Sequence, residues 1–271
     1  MNSQKVVLIT GTSSGVGQAT ARLLSLKGYR VLGTSRNPSR AEPMPNVEML
    51  ALDVRDDDSV AACVNAIADR TGRLDVLVNN AGYELAGALE EVSLDEAKAQ
   101  FETNFFGMAR MTKAVLPIMR QQEGGQIINI SSLAGLTPVP FMGIYSASKF
   151  AVEGYTEALR LEVRPFDIHV SQIEVSFLRT TMMNNRQIAT ERISAYEPWR
   201  QLALDAIREY EETGPGPELV AEAVLRIIGS RKPPLRYVIG RKAKSTVRLR
   251  RILPQRVFEN GLRSTFRVDA R

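Results

Sequence analysis

Short apolar runs rich in β-branched residues alternate along this chain with longer stretches whose apolar positions recur every three or four residues. The runs Lys5–Thr10, Arg30–Thr34, Val47–Leu52, Leu74–Val78, Gln126–Ile130 and Ile168–Glu174 predict strands. The stretches Gly15–Lys27 (closed by Gly28), Asp56–Arg70, Ser93–Arg120 and Tyr145–Arg164 predict helices. The strand runs are apolar at nearly every position, as expected when both faces of a sheet are covered. Strands separated by helix-length segments then predict an α/β fold: one doubly wound parallel sheet with helices on both faces. No internal repeat or low-complexity linker interrupts it. The stretch Gly214-Pro-Gly-Pro217 reads as a helix start. These patterns assign residues 1–240 to one domain and 241–271 to a basic C-terminal extension.

Composition narrows the chemistry. With 271 residues, 44% hydrophobic and 24% charged, the chain can fill a large core. A single cysteine, Cys63, forms no internal disulfide and suits a reducing compartment. A single histidine, His169, reads as a structural strand residue, and with so few ligands no metal site is expected. No apolar run approaches the ~20 residues of a membrane span, and Met-Asn-Ser-Gln-Lys followed by a five-residue apolar strand lacks a secretory h-region, so no leader is expected. A soluble cytoplasmic protein is the expectation. The net charge of +5 is local: eleven Arg or Lys and no acid fall between Ala223 and Phe258. That distribution argues against nucleic-acid wrapping.

The first predicted strand runs into Gly11-Thr-Ser13-Ser14-Gly15-Val16-Gly17 and then a helix. Backbone N–H groups and a helix N-terminus at such a turn can cradle a pyrophosphate. The same letters also fit a glycine turn that holds nothing. They contain the hydrolase pattern G-x-S-x-G as well. Only ten residues precede that pattern, too few for the earlier loop an oxyanion hole needs. The second strand ends at Ser35-Arg36, where a site preferring NAD places an acid for the ribose hydroxyl. A guanidinium there would pair with a 2′-phosphate, so the expected cofactor is NADP(H). A solvated surface arginine is the plainer alternative.

Tyr145-Ser-Ala-Ser-Lys149 places a phenol and an ammonium on one face of a helix. A free phenol titrates near pH 10. A positive charge ~4 Å away contributes roughly 4 kcal/mol toward ionisation, with desolvation opposing. The expectation is therefore a phenol poised to exchange a proton. Taken with the glycine loop, Asn79-Asn-Ala-Gly82, Asn104 and Ile130-Ser-Ser132, in that order, the sequence resembles the short-chain dehydrogenase/reductase family. The likeness runs from about Val6 to Thr181 and more weakly to Gly240, and its pattern is similar to the branch with 17β-hydroxysteroid and retinol dehydrogenases.

The resemblance implies a Rossmann-type fold, a dimer or tetramer built on the Ser93–Arg120 and Tyr145–Arg164 helices, and a set of roles. Tyr145 would be the general acid or base. Lys149 would lower its pKa and bind the nicotinamide ribose, Ser132 rather than Ser131 would orient the substrate oxygen, and Asn104 would hold a relay water. Asp53 and Val54 would contact the adenine end, and Asn80, Ala81 and Gly82 would line the cofactor cleft. One departure stands out: Val175-Ser176 replaces the family's Pro-Gly before the loop bearing Thr180, which remains available to the cofactor. Both backbone controls are lost there. An NADP-binding sensor or scaffold with little hydride transfer is accordingly the alternative to an oxidoreductase.

For substrate, Leu133, Phe141, Met142, Phe177 and the segment Met182–Trp199, within a loop region about 177–212, are largely apolar. They suggest a hydrophobic carbonyl or secondary alcohol of steroid, retinoid or long-alkyl type, and several also fit simple core positions. The cation-rich tail from Arg241 to Pro254 carries Val247, Leu249, Ile252 and Leu253. It reads as a helix packed over the site mouth, ending at Pro254, in preference to a membrane-surface segment.

Overall fold

The computed structural model describes residues 4–180, 186–240 and 243–268. In chain order, β1 (Val6–Ile9) leads through α1 (Gly15–Leu26) to β2 (Arg30–Ser35). β3 (Val47–Ala51) leads through α2 (Asp57–Thr71) to β4 (Val76–Asn79). A two-residue strand β5 (Leu85–Ala86) precedes α3 (Leu94–Phe101), α4 (Gly107–Gln121) and β6 (Gly125–Ile130). Next come α5 (Gly143–Glu162), β7 (Ile168–Val175), β8 (Gln187–Ile188) and α6 (Glu197–Glu212). α7 (Glu218–Gly229), β9 (Arg236–Ile239), α8 (Ala243–Ile252) and α9 (Gln255–Thr265) close the chain.

Seven strands form one parallel sheet in the order β3-β2-β1-β4-β6-β7-β9. The near-continuous apolar strands have a direct explanation in β1. Its Val6 and Leu8 enter the core under α2, α4 and α5, while Val7 and Ile9 enter the core under α1 and α7. A strand buried on both faces has no polar face to alternate with. The chain winds outward from β1 to β3, then returns to the other side of β1 at β4. That reversal opens a crevice beyond the carboxyl ends of β1 and β4, the usual ligand position in such sheets.

Three features depart from the sequence pattern. The predicted helix over 93–120 is one helical path, but a π-helical turn at Glu102–Phe106 divides α3 from α4. β9 lies inside the basic stretch, where no strand is predicted. It earns its place by pairing with β7. That pairing also accounts for Val175-Ser176. β7 continues through Val175, and the Ser176 N–H donates to the Ile239 carbonyl at 2.9 Å. Gly240 adopts φ +118, and a Cβ there would stand 2.6 Å from the Ser176 Cβ. The backbone control expected from Pro-Gly is thus supplied by a neighbouring strand and a glycine. The 177–212 region holds a helix, α6, rather than open loop.

α6 is fastened to the body by a buried ion pair. Arg200 is 1% exposed and bonds both Glu91, 0% exposed, and Glu197. Glu91 also accepts the N–H groups of Ala88 (2.8 Å) and Ile193 (2.9 Å). Removing one partner of such a pair strands a buried charge, at a cost of about 3–5 kcal/mol. Arg200→Met is therefore expected to lower unfolding free energy by about that amount in urea titrations, and adding Glu91→Gln is expected to recover part of it. A loss below about 1 kcal/mol in the single variant would mean the pair does not hold α6.

Candidate active site

The loop after β1 is shaped from both sides of the switch point. Thr10 Oγ1 accepts the N–H groups of Asn80 and Ala81, both at 2.9 Å. Asn80 Nδ2 in return donates to the carbonyls of Thr10 (2.8 Å) and Gly11 (2.9 Å). Asn80 therefore braces the glycine loop. Gly17 does not line the cleft. It is buried where α1 crosses the loop, and a Cβ on it would stand 2.2 Å from the Gly11 carbonyl oxygen and 2.6 Å from Asn80 Nδ2. Ser13, Ser14, Gly15 and Val16 do line the cleft, with Gly11, Ala81 and Gly82. Ser14 caps α1 without a side-chain bond, and the first turn carries no acid. The positive end of the helix dipole is left for an anion.

The outer end of the cleft is formed by the ends of β2 and β3. Ser35 and Arg36 both line it. Ser35 is 9% exposed, and its hydroxyl has no hydrogen-bond partner among the described residues. No carboxylate occupies the end of β2. Asp53 and Val54 also line the cleft. The Asp53 carboxylate is engaged by Arg55, whose Nε and Nη2 donate at 2.9 and 2.6 Å. Those bonds hold it down to about 2 against the opposing effect of burial.

At the inner end, Ser132, Tyr145 and Lys149 converge on the same cavity of about 1100 Å³. Tyr145 and Lys149 are one turn apart on α5, and both are buried. The sign of the phenol's shift corrects the sequence expectation. Burial pushes the Tyr145 phenol above its usual range, the Glu84 charge adds to this, and a Ser132 hydrogen bond works against it. Burial lowers Lys149 to about 8. Lys149 Nζ donates to the Ile130 carbonyl at 2.9 Å rather than to the phenol. Ser132 Oγ accepts the Ala134 N–H at 3.1 Å, whereas the Ser131 hydroxyl is spent on Glu153 at 2.5 Å. Asn104 sits in the π-helical turn and does not line the cavity. Its amide takes the Tyr83 N–H (3.0 Å), donates to the Tyr83 carbonyl (2.9 Å) and reaches Ser148 Oγ at 3.3 Å. It fixes the strand entry beside Gly82.

Leu133, Met142, Phe177 and Thr180 line the cavity. Phe141 does not. Its backbone is held at φ 58, its carbonyl accepts the Gly87 N–H at 2.8 Å, and its ring packs edge-on to Tyr196. Within Met182–Trp199, residues 182–185 lie outside the described residues, and Gln187 reaches the cavity. The tail enters the wall itself. Thr246 of α8, Leu262 and Thr265 of α9, and Phe266 just after it line the cavity, and Phe266 packs edge-on to Phe177 at 6.4 Å. Sequence reasoning misses Glu84 and Glu211, which also line it, together with Tyr210 and Ile207. No local spacing relates residues 84, 186 and 211. They meet only because β5 pairs with β8 and α6 lies over both.

A family model described as short chain dehydrogenase matches residues 5–191. The chain is 44% identical to 3-ketodihydrosphingosine reductase of Bacteroides thetaiotaomicron, over 87% of this chain and 88% of that one. It is 37% identical to retinol dehydrogenase 8 of Bos taurus, over 87% and 81%. A short-chain dehydrogenase from Streptomyces avermitilis superposes with TM-score 0.82 at 33% identity, covering 98% of each chain. A short-chain dehydrogenase/reductase from Burkholderia phymatum, in complex with NAD, gives 0.78 at 26% identity, over 92% and 93%. ElxO with NADP bound gives 0.72 at 28% identity, over 87% and 96%.

The Gly17 geometry makes an unusual expectation. Ala in place of Gly inside a helix normally stabilises by about 1 kcal/mol. Here Gly17→Ala is expected to weaken dinucleotide binding at least about tenfold in a fluorescence titration, with the far-UV circular dichroism retained. Unchanged affinity would show that the α1–loop crossing does not set the cradle.

Proposed function

Because the chain belongs to the short chain dehydrogenase family, we propose that it is an NADP(H)-dependent oxidoreductase acting on the carbonyl or secondary alcohol of a hydrophobic substrate. The observation that carries this reading is the meeting of Ser132, Tyr145 and Lys149 at one end of a cavity whose other end is the glycine loop. The glycine loop and the uncapped start of α1 would hold the pyrophosphate. The orphaned Ser35 hydroxyl and Arg36 offer a donor and a cation for a 2′-phosphate. Bound in this way, the cofactor supplies or accepts the hydride.

The protein's own groups handle the proton. Ser132 orients the substrate oxygen. A phenol held above its usual range stays protonated at neutral pH, so Tyr145 is a proton donor to a developing alkoxide. Lys149, buried beneath the phenol with its ammonium 5.8 Å from the ring centroid, balances the charge left on Tyr145. In the reverse direction the ionised form of Tyr145, with Lys149 balancing its charge, would accept the alcohol proton. The apolar wall of Leu133, Met142, Phe177 and Phe266 suits a long alkyl or polycyclic substrate. The names of the Bacteroides and bovine relatives favour the same class.

Tyr145→Phe removes the proton and keeps the ring. Turnover of a hydrophobic ketone is expected to fall at least about a hundredfold while the Kd for NADPH stays within about twofold. Retained turnover would sink the acid role. Arg36→Ala is expected to raise the Kd for NADPH by about 10–100-fold, the worth of one charge-assisted hydrogen bond, and to leave NADH binding unaltered. Equal effects on both cofactors would remove Arg36 from their discrimination.

A further inference from the structure

The substrate end of the cavity contains a charge cluster that the proton chemistry does not use. Arg186 is almost fully buried between two carboxylates. Its Nε and Nη2 donate to Glu84 Oε2 at 2.9 and 2.7 Å, and Nη2 also bonds Glu211 Oε1. One guanidinium thus serves two acids, so the ionised cluster carries a net charge of −1. Glu211 is 6% exposed and lines the cavity, yet its Oε2 has no partner among the described residues. Burial lifts this carboxyl to about 7, with Glu84 adding to the effect and Arg186 opposing it. Glu84 and Glu211 line the same cavity as Tyr145, and the charges of both act on its phenol.

A buried carboxylate oxygen without a donor is costly unless something pairs it. Facing a binding cavity, the group that can pair it is the ligand. An anionic substrate would meet a net negative wall, and a neutral ketone would leave Oε2 unpaired. A primary ammonium carries three donors and the opposite charge. Around the cluster the wall is apolar, with Phe177, Ile207, Tyr210 and Phe266.

We infer that the substrate is a long-chain amino ketone, or the corresponding amino alcohol in the reverse direction, whose ammonium is recognised by Glu211 within the Glu84–Arg186–Glu211 cluster. This rests on the oxidoreductase reading and names its substrate class. Glu211 is a specificity residue. It selects the amine without taking part in proton transfer.

The test compares kcat/KM, with NADPH, for a long-chain 2-amino-3-ketone, its N-acetyl derivative and the amine-free 3-ketone. The wild-type protein is expected to prefer the free amine at least tenfold over both. Glu211→Gln, which keeps the shape and a hydrogen-bond acceptor for Arg186, is expected to reduce that preference ratio at least tenfold. A wild-type protein without preference for the amine overturns the inference, and that comparison needs no variant. A ratio unchanged by Glu211→Gln overturns the assignment to Glu211. Calorimetric binding of the long-chain amino alcohol separates the two readings. Binding to the wild type that Glu211→Gln abolishes, with no turnover of any ketone, upholds the ammonium site and overturns the oxidoreductase assignment. Turnover of the amine-free ketone without measurable binding of the amino alcohol does the reverse.

Discussion

The close crossing of α1 over the glycine loop is the constraint on which the rest of the site depends. There the Gly11 carbonyl, the Asn80 amide and Gly17 fill a space that admits no further carbon atom. The loops after β1 and β4 belong to halves of the sheet that wind in opposite directions, and the ladder between those strands ends at the Thr10 N–H bond to the Val78 carbonyl, 3.0 Å. Beyond that bond Thr10 and Asn80 tie the loop tips by exchanging backbone and side-chain hydrogen bonds. Once the tips are tied, the start of α1 points its N–H groups into the crevice, and β6 can present Ser132 only one strand away. A parallel sheet thereby turns an accident of winding order into a binding cleft.

Burial sets the chemistry at the far end. A phenol and an ammonium placed one turn apart would, in water, favour each other's charged forms. Sealed beneath α6 and the tail, each instead moves toward neutrality. The phenol therefore keeps its proton in the closed pocket, and only a partner that stabilises its ionised form would let it leave. The walls that raise the phenol's pKa also make the pocket apolar, so the character of the cavity and the protonated state of Tyr145 share one cause.

The sequence shows the glycine-loop end of the cleft clearly because that end is made of local signals. Five strands carry a few residues at or just past their carboxyl ends that line the cleft: Ser13–Val16 past β1, Ser35-Arg36 at the end of β2, Asp53-Val54 past β3, Asn80–Gly82 past β4, Ser131-Ser132 past β6. The doubly wound architecture was legible for the same reason, since each two-sided strand reads as an apolar run. The π-helical turn around Asn104 was not legible. It changes no residue type, only the spacing of hydrogen bonds, and it turns the Asn104 amide toward Tyr83. β9 was hidden because its Arg236 and Tyr237 lie in a stretch dominated by charge. Phe141 resembled a pocket residue by composition, yet a backbone held at positive φ turns its ring to Tyr196.

The far wall of the cavity was the least legible because it is assembled from residues far apart in the chain. Glu84 and Arg186 are 102 positions apart, yet a two-strand ladder joins their neighbours. Phe177 and Phe266 meet only after α9 folds back over the mouth. The contrast has a physical consequence. Residues of α6, β8 and α9 can change the shape and charge of the pocket without touching the tied loops after β1 and β4. The buried Glu91–Arg200 pair anchors the first turn of α6, about three turns from Glu211 on the same buried face, so the wall bearing Glu211 can be remodelled while that attachment persists. A fold whose binding cradle is fixed by backbone crossings and whose specificity is supplied by side chains on a separately anchored layer can keep one reaction while its substrates change.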